Sequence, residues 1–279
     1  MPTTQLHIDV DQIVRTKAPK YYRWLPKWIV RWLARTIHQD ELNAILEYMG
    51  DKTGVEAAQA ALEYLGVSTQ CEGLEQVPAD GRYIYVSNHP LGGLDGMALI
   101  LLLGQRHQGD IRFLVNDLLM AVKPLASIFL PVNKYGRQSR QAVADIEQEY
   151  RGDNQMITFP AGLCSRQFKG GDIADLPWRK FFVKAAIDYR RDIVPVYFDA
   201  RNSRFFYRLA KWLERLGLKF NVEMIYLPNE MFKLRGSTLR VVVGKPLPWQ
   251  SLDGGHVATE VDRVRNIVYQ LSKTDKSSI

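Results

Sequence analysis

The fold is decided by residues 83–96, which read Tyr-Ile-Tyr-Val-Ser-Asn-His-Pro-Leu-Gly-Gly-Leu-Asp-Gly. The β-branched and aromatic run over residues 82–86 is typical of a buried strand, and it ends abruptly in polar residues and glycine. Such an ending delivers side chains to the edge of a sheet. The side chains delivered here are Asn88 and His89, and Asp95 follows six residues after the histidine.

A histidine that is held by a carboxylate is a general base with a pKa near neutrality. Pro90, Gly92 and Gly93 let the chain fold back, so that Asp95 either returns to the imidazole or caps the apolar helix that follows. The chain has no G-x-S-x-G motif and no cysteine near this loop, so the nucleophile is expected to be a hydroxyl of the substrate. The alternative is a loop histidine that only hydrogen-bonds a turn.

The block from Ser87-Asn88-His89 to Asp95-Gly96 resembles the first block of the glycerolipid acyltransferases, the lysophosphatidic-acid acyltransferase-like enzymes. In that family a histidine and an aspartate form the catalytic dyad, which the resemblance assigns to His89 and Asp95. Four residues usually separate the two, whereas residues 90–94 make five here. The longer spacing is similar to that of a subgroup of hemolysin-like proteins and aminolipid O-acyltransferases. The resemblance covers roughly residues 65–250.

Residues 130–137 resemble the second block of that family and read Leu-Pro-Val-Asn-Lys-Tyr-Gly-Arg. There a basic residue near a glycine holds the polar head of the acceptor, so Lys134 and Arg137 are the candidates. The alternative is a solvated basic turn. The fourth block is resembled by residues 193–198, an apolar run around Pro195 that is expected to line the acyl site.

The third block, usually Phe-Pro-Glu-Gly-Thr-Arg-Ser, is resembled by residues 159–166. The family's glutamate helps to hold a glycerol-phosphate acceptor, and Ala161 replaces it here, which argues against that acceptor. With Asn88 of the first block, the substrate contacts that the resemblance implies are Phe159, Pro160, Gly162, Ser165 and Arg166. Cys164 is expected to be a small buried thiol without a chemical role.

The composition and charge indicate which kinds of partner the protein binds. The chain has 279 residues, of which 46% are hydrophobic, and its formal net charge is +7. A basic balance points to nucleic acid, a membrane surface or acidic substrates, and since there is no nucleic-acid motif we favour the membrane. The two cysteines, Cys71 and Cys164, indicate neither a disulfide framework nor a metal site and fit a reducing cytosol. We expect no signal peptide, and the longest apolar run, residues 97–103, is shorter than the about 20 residues of a membrane span.

A helix is predicted from Pro26, and three rows of side chains around its start and along it repeat every four residues. The rows are Lys27, Arg31 and Arg35; Trp24, Trp28 and Trp32; and Leu25, Ile29 and Leu33. At 100° per residue the tryptophans lie between the cations and the aliphatic residues, which suits a helix in a lipid interface. The alternative is a helix packed on its own domain. A second basic amphipathic helix over residues 204–218 is expected to contact lipid, to line an acyl groove or to cover the sheet.

Alternating elements predict one α/β domain with a mixed sheet and an N-terminal amphipathic helical appendage. Strands are expected over residues 82–86, 112–115, 155–159, 193–198, 222–227 and 239–243, and residues 1–14 are expected to be irregular. Helices are expected after Pro26 and over residues 39–48, 55–65, 97–103, 116–128, 140–150, 178–189, 204–218 and 257–271. We divide the chain into a membrane-associating helical region (1–65), an acyltransferase domain (66–250), and a C-terminal helix with a polar tail (251–279).

The resemblance implies an O-acyltransferase at the cytoplasmic face of the inner membrane, bound as a peripheral or monotopic protein. His89 takes the proton of an acceptor hydroxyl, Asp95 orients His89, and the donor is acyl-CoA or acyl-carrier protein, with no cofactor or metal. Backbone amides of the glycine-rich turn or of residues 159–162 would stabilise the oxyanion. The favoured acceptor is a lyso-aminolipid, the lyso form of an ornithine or glycine lipid.

Three other functions stay open at this point. A lysophosphatidic acid acyltransferase making phosphatidic acid would differ only in its acceptor. A non-catalytic peripheral membrane protein that remodels lipid would keep its activity in the variant His89→Ala. A hydrolase of acyl thioesters would use the same dyad to activate water and would release free acid.

Overall fold

The computed structural model describes residues 7–17, 19–132, 140–217 and 221–273. The helices, α1 to α11 in chain order, are Val10–Lys17, Pro19–Tyr22, Lys27–Thr36, Gln39–Met49, Gly54–Leu65, Leu94–Arg106, Arg140–Arg151, Phe181–Tyr189, Arg204–Arg215, Leu227–Lys233 and Val257–Gln270. The strands, β1 to β9, are Ser68–Glu72, Tyr83–Ser87, Ile111–Asn116, Phe129–Val132, Gln155–Thr158, Arg166–Gln167, Ile173–Ala174, Asp192–Asp199 and Thr238–Val243. Lys134 and Arg137 lie outside the described residues.

Within the described residues, seven strands form one sheet in the order β1-β9-β8-β2-β5-β3-β4, and β6 and β7 form a separate short hairpin. Strands β8 and β9 are antiparallel, and the other neighbours in the large sheet are parallel. The five residues of β2 are all buried, as expected of a central strand with both faces covered. The predicted α/β fold with a mixed sheet is therefore confirmed.

Two hydrophobic clusters cover the two faces of the sheet. Tyr83 and Tyr85 of β2 face a cluster formed with α4, α5 and α6, whereas Ile84 and Val86 face a cluster formed with α8 and α11. Helices α4 and α5 therefore belong to the same core as the sheet, and a boundary at residue 65 would cut through it. The three-part division of the chain stays a prediction. Within the described ranges, no helix is both long and apolar enough to cross a membrane.

The structure corrects the secondary structure at several places. Residues 222–227, predicted as a strand, form the 3₁₀ turn Val222–Tyr226 and the start of α10, where Pro228 suits the first turn of a helix. Residues 116–128, predicted as mostly helical with an interruption at Lys123-Pro124, form two 3₁₀ turns, Asp117–Ala121 and Lys123–Leu125. The sequence reasoning also missed α1, β1 and β4. Strands β1 and β4 are the two edges of the sheet, where polar residues and Pro131 are tolerated.

The contact between α5 and α6 is tightest at Gly104. A Cβ at this position would overlap the methyl groups of Val55 and would lie 3.2 Å from the Cβ of Val55. We expect Gly104→Ala to lower the free energy of unfolding by about 1–3 kcal/mol through overpacking, despite the better helix propensity of alanine. Urea unfolding of the variant measures this change.

The matched control is the pair Gly104→Ala/Val55→Ala, in which the smaller side chain makes room for the new methyl group. Val55→Ala alone should also be destabilising, and the pair should be more stable than the sum of the two single changes predicts. Strictly additive costs would contradict this close packing of α5 on α6.

Candidate active site

Three loops meet at one edge of the sheet. Strands β5, β2 and β8 are neighbours and run parallel, so the loops that follow them leave the sheet on the same side. The carboxyl ends of parallel strands are where α/β folds build their sites. The loop after β2 carries His89, the loop after β5 begins at Phe159, and the loop after β8 carries Asn202.

Asn88 ties the loop after β2 to strand β8. Its side-chain Oδ1 accepts a hydrogen bond from the backbone N–H of Phe198 (2.7 Å), and its Nδ2 donates to the carbonyl of the same residue (3.0 Å). The side chain is buried. Asn88 therefore holds the backbone of β8, and the substrate contact expected from the resemblance stays a prediction.

His89 and Asp95 form a hydrogen-bonded pair. The distance from Nδ1 of His89 to Oδ2 of Asp95 is 3.0 Å, and the carboxylate is fully buried. Oδ2 also accepts hydrogen bonds from the backbone N–H groups of Leu91 (2.9 Å) and Gly92 (3.3 Å), and Oδ1 accepts one from Gly96 (2.9 Å). Asp95 therefore returns to the imidazole from the first turn of α6, whereas the N-cap residue of this helix is Gly93, without a side-chain capping bond. Five intervening residues suffice because Gly92 adopts a φ of +90°.

The ring of His89 is fixed on a second side by Phe159. The two rings are stacked, with centroids 3.9 Å apart and an angle of 15° between their planes. Because Nδ1 faces the carboxylate of Asp95, it carries the proton, and Nε2 carries the free lone pair. In the described part of the chain no group hydrogen-bonds to Nε2. The nitrogen is thus placed to accept a proton from a hydroxyl.

Ser165 in the third block hydrogen-bonds to the loop that carries His89. Ser165 is buried, and its backbone N–H donates to the carbonyl of His89 (2.8 Å). Arg166 is turned towards Glu223, with 2.5 Å between its guanidinium and the carboxylate, and also donates to the carbonyl of Cys164. Both side chains have partners inside the protein, and substrate contact by Ser165 and Arg166 stays a prediction.

Of the other residues of this turn, Phe159 lies directly beside the histidine. Phe159 forms the stacking surface, and the buried Pro160 offers its carbonyl to the N–H of Arg179 (3.1 Å). Gly162 is exposed and has a φ of +67°, and Ala161 is buried. Substrate contact by Phe159, Pro160 and Gly162 stays a prediction.

Asp175 is a site residue that the sequence reasoning missed. Its Oδ1 accepts hydrogen bonds from the backbone N–H of His89 (3.2 Å) and the hydroxyl of Ser165 (2.6 Å), and its Oδ2 accepts one from Nε1 of Trp178 (2.9 Å). The carboxyl is buried, and this burial raises its pKa. The available signal was a single acid in the otherwise apolar run Ile-Ala-Asp-Leu-Pro-Trp over residues 173–178.

Most of the backbone amides suggested for the oxyanion have other partners. Those of Leu91 and Gly92 donate to Asp95, and that of Gly162 donates to the carbonyl of Phe159 (3.0 Å). The first turn of α6, which begins at Leu94, is the remaining part of the glycine-rich turn with positive potential next to His89.

Cys164 has the buried position expected of it. Burial raises the pKa of its thiol to about 11, so the thiol is protonated at neutral pH and is a poor nucleophile. Across the ranges that the structure describes, no group of three or more His, Cys, Asp or Glu side chains is arranged to hold a metal ion.

The two amphipathic basic helices, α3 and α9, each contact Tyr226. Trp24, Trp28 and Trp32 are 88%, 66% and 44% exposed. The ring of Trp32 contacts Tyr226 edge-on (6.5 Å between centroids), and Tyr226 contacts Phe205 of α9 in the same way (5.3 Å). We define the aromatic face as the exposed apolar side chains that this contact joins, namely Trp24, Trp28, Trp32, Phe205, Trp212 and Leu216.

The cations of α3 have the predicted arrangement around this face. Lys27, Arg31 and Arg35 are exposed, whereas Val30 is buried and Ile29 and Leu33 are half-buried. The helix thus packs on the protein through its aliphatic side and leaves its tryptophans and cations to the outside.

Comparison with known proteins identifies the family. Residues 12–277 match the family described as Acyltransferase. Lyso-glycine lipid O-acyltransferases from Bacteroides thetaiotaomicron and Phocaeicola vulgatus are 47% and 45% identical to the chain over 265 residues. The matches cover 95% of the chain in both cases and 97% and 95% of these relatives. The solved structure of the 1-acyl-sn-glycerophosphate (LPA) acyltransferase PlsC from Thermotoga maritima shares the fold with a TM-score of 0.51 and 14% identity, over 96% of this chain and 99% of that one. The resemblance drawn from residues 83–96 is confirmed, and the chain belongs to the acyltransferase family.

Proposed function

We propose that this acyltransferase moves a fatty acyl group from an acyl thioester to the hydroxyl of a lyso-aminolipid. The observation that carries the proposal is the His89–Asp95 pair, whose orientation leaves Nε2 of His89 without a partner among the described residues. The names of the two relatives support a glycine-headed acceptor. Lysophosphatidic acid is less favoured, because Ala161 stands where the family's phosphate-holding enzymes have glutamate.

In the proposed reaction, His89 acts first as a base and then as an acid. Nε2 takes the proton of the acceptor hydroxyl as its oxygen attacks the thioester carbonyl, and Asp95 stabilises the imidazolium that forms. The tetrahedral intermediate expels the thiolate, and His89 returns the proton to that sulfur. The products are the ester and the free thiol, so the residues are restored without a cofactor. The N-terminus of α6 favours the negative charge on the intermediate.

The donor is proposed to be acyl-CoA or acyl-carrier protein, since both carry the acyl group as a thioester and both are acidic. The net charge of +7 favours their approach. Nucleic acid is not among the proposed partners.

The enzyme is proposed to work as a peripheral or monotopic protein at the cytoplasmic face of the inner membrane. The aromatic face supports this placement, because tryptophans flanked by cations suit the boundary between lipid head groups and acyl chains. Its two helices are joined through Tyr226, so that both can meet one surface. A lipid acceptor would then enter the site from the bilayer.

Acyl transfer from labelled acyl-CoA or acyl-carrier protein to lyso-glycine lipid, lyso-ornithine lipid and lysophosphatidic acid tests this function. We expect product with an aminolipid and a loss of at least about 100-fold in kcat for His89→Ala, because the base is removed while the rest of the site remains. Equal activity of the variant would favour the non-catalytic alternative. Free fatty acid without acylated lipid would favour the thioester hydrolase.

Asp95→Asn is expected to damage both activity and stability. Both carboxylate oxygens of Asp95 accept hydrogen bonds from backbone N–H groups, Oδ1 from Gly96 and Oδ2 from Leu91 and Gly92. Whichever way the asparagine amide is oriented, its NH₂ group replaces one of these oxygens and faces a backbone N–H, so that two donors meet. We expect a loss of about 1–3 kcal/mol in the free energy of unfolding, measured in urea, together with a fall in kcat. Wild-type stability in this variant would contradict the role given to the buried carboxylate.

Membrane contact is tested with Trp24→Ser/Trp28→Ser. Both side chains are largely exposed, so the double variant should fold, and its partition onto vesicles that contain anionic phospholipid should fall at least about tenfold. Flotation of protein with vesicles measures the partition. Val143→Ser on α7 removes an exposed apolar side chain outside the aromatic face and serves as the control. An equal effect of the two variants would contradict a specific role for the aromatic face.

A further inference from the structure

A cavity of about 470 Å³ lies between the β6–β7 hairpin, the start of α9 and helix α10. Its charged lining residues are Arg201, Arg204, Glu230 and Lys233. The reaction proposed above assigns no role to this cavity or to these four side chains. Its residues at 201–203 belong to the loop after β8, one of the three loops that form the active-site edge of the sheet, and Arg204 begins α9.

Asn202 connects this cavity to the catalytic loop. It lines the cavity, and its Nδ2 donates a hydrogen bond to the carbonyl of Pro90 (3.0 Å), the residue directly after His89. A second connection lies in α10, where the side chain of Leu227 packs closely against Gly92. A molecule in the cavity is therefore held by elements that also position the histidine.

The charges of the cavity do not cancel. Glu230 is buried, and its carboxylate accepts hydrogen bonds from the backbone N–H and the hydroxyl of Ser203 (2.8 Å for the hydroxyl) and from Nζ of Lys233 (2.6 Å). Glu230 is thus neutralised by Lys233 and secures the start of α9. Arg201 and Arg204 make no ion pair with the residues that the structure describes, so two guanidinium groups remain for an anion.

The position of the cavity indicates where that anion comes from. Phe205 follows Arg204 on α9, belongs to the aromatic face and lies 5.9 Å from Nζ of Lys233. The cavity therefore borders the surface at which a lipid acceptor is proposed to enter, with its head group at the level of the cations.

We propose that Arg201 and Arg204 bind the carboxylate of the acceptor's head group. A glycine joined to a fatty acid through its nitrogen keeps a free carboxylate, and a guanidinium binds a carboxylate through two parallel hydrogen bonds. This inference rests on the proposed function, because it specifies the acceptor of the same site. In this inference, the positively charged pocket that binds the acceptor's head group is formed by the loop after β8 and the start of α9, and not by the third block.

The test compares an acceptor that has a free glycine carboxylate with its methyl ester, both presented in neutral detergent micelles. For the wild type we expect kcat/KM to be at least about tenfold higher with the free carboxylate, in line with charge-assisted hydrogen bonds. In Arg201→Gln/Arg204→Gln this preference should fall towards one, while KM for acyl-CoA stays unchanged.

The matched control is Arg208→Gln/Arg215→Gln, which removes the same charge from two other exposed positions, both on α9 and outside the cavity lining, and should keep the preference for the carboxylate. A preference that survives in Arg201→Gln/Arg204→Gln would overturn the inference. A rise in KM for acyl-CoA with the preference intact would also overturn it, because the cavity would then hold the phosphates of the donor.

A binding measurement separates this inference from the proposed function. N-lauroylglycine and its methyl ester are titrated into the full-length protein by calorimetry, without a donor. We expect the free acid to bind at least about tenfold more tightly than the ester, and Arg201→Gln/Arg204→Gln to lose that difference. If the wild type transfers no acyl group but shows this difference, the proposed reaction fails and the carboxylate site stands. If the variant keeps the difference, the carboxylate site fails.

Discussion

The arrangement of the site depends on one buried charge, the carboxylate of Asp95. An ionised carboxylate removed from water is tolerated only when hydrogen-bond donors surround it. Here the backbone N–H groups of Leu91, Gly92 and Gly96 and the imidazole of His89 supply them. The loop after β2 must therefore curl around the carboxylate, and that curl sets the direction in which the histidine points.

The curled loop is in turn fastened to both neighbouring strands. Asn88 binds the backbone at the end of β8, Ser165 binds the carbonyl of His89 from the loop after β5, and Asp175 binds the N–H of His89. Most polar side chains near the histidine thus hold backbone in place. Several residues that resemble substrate contacts in the sequence thus also bond the protein itself, whereas Nε2 of His89 has no hydrogen-bond partner among the described residues.

Neighbouring residues connect the proposed membrane surface, the proposed head-group site and the catalytic loop. Phe205 of the aromatic face follows Arg204 of the cavity, and Asn202 of the cavity hydrogen-bonds the carbonyl of Pro90, next to His89. Such an order suits a substrate whose tail stays in the bilayer, whose head is ionic and whose hydroxyl lies between them. It also offers a reason for the basic composition, because the proposed partners of the cations are lipid head groups and anionic substrates.

Local sequence determined what lies within one strand, turn or helix. The sequence predicts three such features because the residues involved are only a few positions apart. They are the strand of residues 83–87, the return of Asp95 to His89, and the rows of side chains on α3 and α9. Tertiary structure decided what depends on distant partners. The edge strand β1 exists because Ser68 pairs with Thr238, residues 222–227 form turn and helix between other elements, and Asp175 reaches the backbone of His89 across 86 positions. No local pattern of hydrophobicity encodes such pairings, because they arise only when packing of the whole chain brings the partners together.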